Sequence, residues 1–149
     1  MGGHQSLAVA RIMELRNLFL SRKEPMADHG INDPRSRIYE EKRPWGGFRR
    51  YTHNEVSTVK VITVMPGEVL SLQYHHHRDE LWVALDPGLR VTLDDRVWEP
   101  APYEEIFIPH GARHRIAGTG SQPSRWLEIS FGEFDENDIV RLEDQYGRK

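Results

Sequence analysis

Apolar and polar residues alternate in short runs through most of this chain, and only its two ends depart from that rhythm. Successive strand side chains point to opposite faces, so such alternation marks strands with one face buried. The pattern predicts strands over Phe48–Thr52, Ser57–Val64, Leu70–His75, Leu81–Leu85, Leu89–Leu93, Glu105–Ile108, His114–Ala117 and Arg125–Ser130. Pro66-Gly67, Pro87-Gly88, Asp94-Asp95, Pro109 to Gly111 and Gly118 to Gly120 supply the turns between them. Many short strands at this spacing predict a mainly β sandwich or barrel of jelly-roll type.

At the ends the period changes. Ala8, Ile12, Leu15 and Phe19 recur at helical spacing between Ser6 and Ser21, with Ser6 placed to cap the start and Pro25 to stop any continuation. The apolar stripe of this amphipathic helix calls for a covering surface, on its own domain or on a second copy of the chain. Residues 23–42 are polar and contain Pro25, Gly30 and Pro34, which predicts a linker or extended arm. Ile139, Leu142, Glu143 and Tyr146 return to helical spacing, so a short helix is expected over Asp135–Tyr146, ended by Gly147. The expected organisation is an N-terminal helix and arm over 1–42 and a barrel domain over 43–149. No internal repeat is visible.

The stretch from Pro66 to Glu80 carries the chemistry. In Leu70–His77, Leu70, Leu72 and Tyr74 alternate with Ser71, Gln73, His75 and His77, so period two puts Gln73, His75 and His77 on one face. Glu80 follows after a short turn, and His114 closes Ile-Pro-His-Gly-Ala-Arg-His at 108–114. A face of imidazoles and an amide beside a carboxylate is costly to bury unless it binds something. The alternative, an exposed polar turn, does not account for the second histidine behind Pro109 and Gly111. A divalent metal inside a β-barrel is the expectation.

Composition narrows this further. At 149 residues the chain is long enough for one domain with a real core. A net charge of −3 offers no basic field for nucleic acid or an anionic membrane. The chain has no cysteine, so a metal must use imidazole, carboxylate or amide donors. No apolar run approaches the span of a bilayer and the start lacks the apolar core of a secretion signal, which favours a cytoplasmic protein without a membrane partner.

These motifs resemble the cupin superfamily, whose barrel is the double-stranded β-helix. Its first motif runs from a glycine, across five residues, to His-x-His and then to Glu. Here Gly67 is followed after five residues by Gln73-Tyr74-His75, and after four more by Glu80. Pro109-His110-Gly111-Ala112-Arg113-His114 matches the second motif, Pro-x-Gly-x-x-His. Gln73 stands where most cupins have the first histidine. That departure fits a narrower resemblance, to the isomerase domain found at the C-terminus of type II phosphomannose isomerases, usually behind a mannose-1-phosphate guanylyltransferase domain. The matching strings are Arg43-Pro44-Trp45-Gly46, Pro66-Gly67-Glu68, Leu70-Ser71-Leu72-Gln73, His75-His76-His77-Arg78, Ile108-Pro109, Asp138-Ile139-Val140-Arg141 and Tyr146-Gly147-Arg148. With no nucleotidyltransferase domain in the sequence, guanylyl transfer is expected to be absent.

The resemblance implies Gln73, His75, Glu80 and His114 as ligands of one divalent ion. Zn²⁺ is the first expectation, and Mn²⁺, Co²⁺ or Fe²⁺ suit the same donors. It implies a phosphorylated hexose as substrate, interconversion of mannose 6-phosphate and fructose 6-phosphate as the reaction, and a homodimer. Such a reaction needs a base, for which Glu128 and His77 are the candidates, and a cation for the phosphate, for which Lys60, Arg78, Arg115 and Arg141 are candidates. Arg78 stands out because it lies between the ligands His75 and Glu80. An oxygenase or lyase on the same barrel, or a non-catalytic sugar-binding cupin, are the competing expectations.

Overall fold

A computed structural model describes residues 33–148. After a turn of 3-10 helix at Pro34–Arg37, eleven strands follow: β1 Tyr39–Arg43, β2 Gly46–Arg50, β3 Ser57–Val64, β4 Leu72–Tyr74, β5 Glu80–Ala84, β6 Leu89–Leu93, β7 Arg96–Trp98, β8 Glu105–Ile108, β9 His114–Gly118, β10 Ser124–Phe131 and β11 Val140–Glu143. β1 and β2 form a separate hairpin. The rest makes two antiparallel sheets, one ordered β3-β10-β5-β8 and the other β11-β4-β9-β6-β7. This is the double-stranded β-helix. Among the described residues no helix is long and apolar enough to cross a membrane.

Alternation builds the core. On β10, Trp126, Glu128 and Ser130 face inward, opposite Ala84, Trp82 and Glu80 of β5. Val91 and Ile116 meet them from the second sheet, and Trp82, Val91, Ile116 and Trp126 are each no more than 2% exposed. Burying side chains of this size is the main source of stability, about 25 cal/mol per Å² of apolar surface removed from water.

One end of the barrel is fixed by the Pro66-Gly67 turn. Gly67 takes a left-handed backbone (φ +80°), which glycine adopts without steric cost. The Gly67 amide donates to the Gly118 carbonyl at 2.9 Å, and the Gly118 amide donates to Glu68 at 2.9 Å. A side chain at Gly118 would collide with the Met65 carbonyl oxygen.

The structure corrects the sequence reading in several places. The short C-terminal helix does not form. Its residues instead make β11, which covers the open edge of β4 in the register Val140↔Tyr74, Arg141↔Gln73, Glu143↔Leu72. Leu142 is the extra residue of a β-bulge there, and one residue inserted into a period of two leaves apolar side chains at three- and four-residue spacing. The arm drawn over 23–42 includes most of β1, so the boundary expected at 42/43 falls within a strand. β7 was not anticipated, and the strand expected to run to His75 ends at Tyr74. The helix expected over Ser6–Ser21 lies outside the described residues.

Candidate functional site

Three elements deliver the central groups. Glu80 is the first residue of β5, His114 the first of β9, and His75 follows the end of β4. Each is at most 2% exposed, and one ligand atom from each lies within 4.8 Å of the others.

Both imidazoles are oriented by main-chain carbonyls. His75 places Nδ1 2.5 Å from the Asp138 oxygen, and His114 places Nδ1 2.8 Å from the Ala112 oxygen. A carbonyl only accepts, so each Nδ1 carries a proton and each Nε2 is turned toward the cluster. The two Nε2 atoms face opposite oxygens of one carboxylate: His75 is 3.2 Å from Glu80 Oε1, and His114 is 3.9 Å from Oε2. Arg78 donates from Nε to Oε1 at 2.9 Å, and the Trp82 indole donates to Oε2 at 3.0 Å. The Trp82 ring stands edge-on to His114, with centroids 5.3 Å apart.

The protonation states suit cation binding. Burial pushes His114 down to about 4, outweighing the attraction of Glu80, so its imidazole is neutral at pH 7. Burial opposes ionisation of Glu80, but the His75 bond, the charges nearby and the Arg78 bond hold it well below the usual carboxylate range. The Nε2 of His114 is buried without a hydrogen-bond partner. Two imidazoles, that of His114 neutral, and an ionised carboxylate are a hard-to-borderline donor set that fits a divalent ion.

The other expected site residues divide clearly. Gln73 pairs with His114 across β4 and β9 and shares its face, and its amide oxygen accepts from Ser71 Oγ at 2.8 Å. Arg141 sits opposite Gln73, so it too belongs to the inward face. Glu128 and Lys60 face each other across β10 and β3, with Lys60 Nζ 3.9 Å from Glu128 and 3.7 Å from Glu136. Burial, then the charge of Glu80, pushes the Glu128 carboxyl up to about 7, against the pull of Lys60, Arg78 and His75. Arg78 is buried and triply engaged, by Glu80, by the Asp135 carbonyl at 2.9 Å and by His75 Nε2 at 3.2 Å.

Two candidates do not join the cluster. His77 is exposed: with β4 ending at Tyr74 the chain turns, and period two no longer carries it to the face of Gln73. Arg115 lies on the face of β9 opposite that of His114 and pairs with Glu143 at 2.8 Å. The sequence reading also missed Trp82 and Asp138. Trp82 was accessible, since a residue two beyond Glu80 on a strand must share its face. Asp138 opens one of the matching strings, but only the fold brings it to His75.

A double-stranded β-helix with a buried His-Glu-His cluster at one end of its barrel defines a cupin with a metal-capable centre. Comparison with known proteins narrows the class. The family model for the mannose-6-phosphate isomerase C-terminal domain matches residues 32–144, and the chain belongs to that family. It is 44% identical over 110 residues to the mannose-1-phosphate guanylyltransferase ManC of Salmonella typhimurium, a match covering 73% of this chain and 23% of that protein. It is 41% identical over 110 residues to the alginate biosynthesis protein AlgA of Pseudomonas aeruginosa, again covering 73% of this chain and 23% of the relative. The aligned region thus spans about a quarter of these curated relatives. In fold it resembles the capsular polysaccharide assembling protein CapF of Staphylococcus aureus, with a TM-score of 0.53 at 21% identity over 71% of this chain and 34% of that one.

Proposed function

We propose that this domain interconverts mannose 6-phosphate and fructose 6-phosphate at the His75–Glu80–His114 centre, in the cytoplasm, supplying precursors for polysaccharide synthesis. One observation carries the reading. In a chain of this family, a carboxyl held near neutrality, Glu128, shares the barrel interior with the His75–Glu80–His114 cluster, whose His114 is neutral and whose Glu80 is ionised.

His75, Glu80 and His114 would hold the ion, with Gln73 beside His114 as the fourth donor. Zn²⁺, Mn²⁺, Co²⁺ or Fe²⁺ bound there would supply Lewis acidity toward the sugar's carbonyl and hydroxyl oxygens. The protein's own groups do the rest. Glu128, once ionised, takes the proton from C2 of the open-chain aldose. The electrons of that C–H bond form the C1–C2 double bond as the C1 carbonyl opens, leaving its charge on O1. The O2 hydroxyl proton passes to O1 as the C2 carbonyl forms, and the double-bond electrons take back at C1 the proton that Glu128 holds. A positioned base of this kind contributes about 10²–10⁴ in rate.

Among the cations, Lys60 on β3 and Arg141 on β11 share the inward face and suit the phosphate. Arg78 serves differently: its bonds to Glu80, His75 and Asp135 keep the carboxylate ionised and aimed.

The test is a coupled assay of mannose 6-phosphate with protein loaded separately with Zn²⁺, Mn²⁺, Co²⁺ or Fe²⁺. Turnover that disappears with chelator supports the reading. No isomerisation with any of the four ions overturns it.

A further inference from the structure

The segment between β10 and β11 crosses the cluster and holds two of its members from outside. Arg78 donates to the Asp135 main-chain oxygen, and its guanidinium lies 4.6 Å from the centre of the Phe134 ring. His75 donates from Nδ1 to the Asp138 main-chain oxygen at 2.5 Å. The carboxylate of that same Asp138 accepts from the amides of His76 at 2.8 Å and His77 at 3.1 Å. Asp138 thus grips the chain on His75 itself and on the two residues that follow.

From this geometry we propose that Asp138 is a positioning residue for His75: its carboxylate locks the turn after β4, and the locked turn sets its own carbonyl against Nδ1 so that Nε2 is presented to Glu80. The inference rests on the metal-centre reading and names a residue that sets the affinity of that centre without touching the ion. The chemistry is specific to this arrangement. A neutral imidazole has one proton, and it must sit on Nδ1 for Nε2 to coordinate. Without the carbonyl, ring rotation and the other tautomer become available to His75. His114 has its own anchor, the Ala112 carbonyl two residues back on the same strand approach, and does not depend on Asp138. The carbonyl that meets His75 comes instead from 63 residues away.

The experiment is a Co²⁺ titration of the full chain, followed by the visible absorption of the bound ion. Three variants are compared with the parent: Asp138→Ala, Asp138→Asn and Asp86→Ala. Partners outside the ligand shell commonly change metal affinity about 10–100-fold, so Asp138→Ala is expected to weaken Co²⁺ binding by that factor. Asp138→Asn keeps an acceptor oxygen and is expected to recover part of the loss. Asp86 also accepts from a backbone amide, that of Arg125, but away from the cluster, and its variant is expected to bind as the parent does. A second readout needs no metal. The Nδ1 proton of His75 is expected to give a slowly exchanging nitrogen-15-coupled resonance in the parent, and hydrogen exchange there speeds up in Asp138→Asn. Equal affinities in the parent and Asp138→Ala overturn the positioning role while leaving the metal centre intact. A parent that takes up no Co²⁺ overturns both. Should Asp138→Ala fail to fold, Asp138→Asn and the exchange rate decide: unchanged exchange overturns the proposal.

Discussion

Arg78 donates from Nε to Oε1 of Glu80 across 2.9 Å, with neither side chain more than 4% exposed. The pair is two residues apart in sequence, and Trp82, two residues further, bonds the other oxygen of the same carboxylate. A buried carboxylate stripped of its cation is left with an uncompensated charge, which costs roughly 3–5 kcal/mol. Arg78→Ala is therefore expected to destabilise the ion-free protein by that order in chemical denaturation. Combining it with Glu80→Gln, which removes the charge, is expected to cost less than the two single changes added together. Strict additivity would show that the pair does not interact energetically.

His114 combines a packing role with a ligand role. Its ring meets Trp82 edge-on and lies 5.0 Å from the ring of His75. His114→Ala is expected to abolish Co²⁺ and Zn²⁺ uptake, measured by titration, and to lower stability by roughly 2–5 kcal/mol, the range of large-to-alanine core truncations. Retained stoichiometric metal in this variant would remove His114 from the ligand set.

Much of this was legible before any coordinates. Ser57–Val64 and Glu105–Ile108 follow from β-branched and aromatic alternation alone, and Leu89–Leu93 likewise, because a strand with one buried face must repeat every second residue. The pairing of the Gly67-to-Glu80 and Pro109-to-His114 segments was legible as motif. What failed did so where the period breaks. The bulge at Leu142 imitates helical spacing, and the early end of β4 sends His77 to solvent. Contacts across long sequence separation, such as Asp138 against His75, are set by the fold and cannot be read from either segment alone.

Glu128 predicts two pH dependences of opposite practical sense. Its carboxyl is faced by Lys60 from β3, by Glu80 from β5 and by Arg78 and His75 from the turn before β5, and burial raises it to about 7. As the base it acts only when ionised, so kcat/KM is expected to rise with pH as this carboxyl loses its proton, and Glu128→Gln is expected to remove turnover. Stability runs the other way. Between the ordinary value of 4.5 and about 7 the folded state binds more protons at this group than the unfolded one. Its contribution is therefore full below 4.5 and is lost as pH rises through 7, with a slope of up to about 1.4 kcal/mol per pH unit. Denaturation of the ion-free parent and of Glu128→Gln across pH 4–8 checks this: the difference between them is expected to move in favour of the variant as pH rises. A pH-independent difference would mean that Glu128 titrates normally.

Lys60 and Arg141 share the inward face, whereas Arg115 lies on the outer face against Glu143. A cation that meets only the phosphate binds ground state and transition state alike, so its loss raises KM and leaves kcat in place. Arg141→Ala is expected to behave in that way, with KM for mannose 6-phosphate rising about 10-fold or more, the factor that corresponds to about 1.4 kcal/mol. Lys60→Ala carries a second effect, because its ammonium lies 3.9 Å from Glu128 and opposes the upward shift of that carboxyl. Removing it is expected to raise KM and also to move the pH limb of kcat/KM to higher pH, and Lys60→Arg is expected to restore the limb. Arg115→Ala is expected to leave KM, kcat and the pH profile at the parent values. Steady-state kinetics of the four variants between pH 6 and 9 decides the matter. A parent-like Arg141→Ala with an impaired Arg115→Ala would reverse the assignment of the phosphate end of the site.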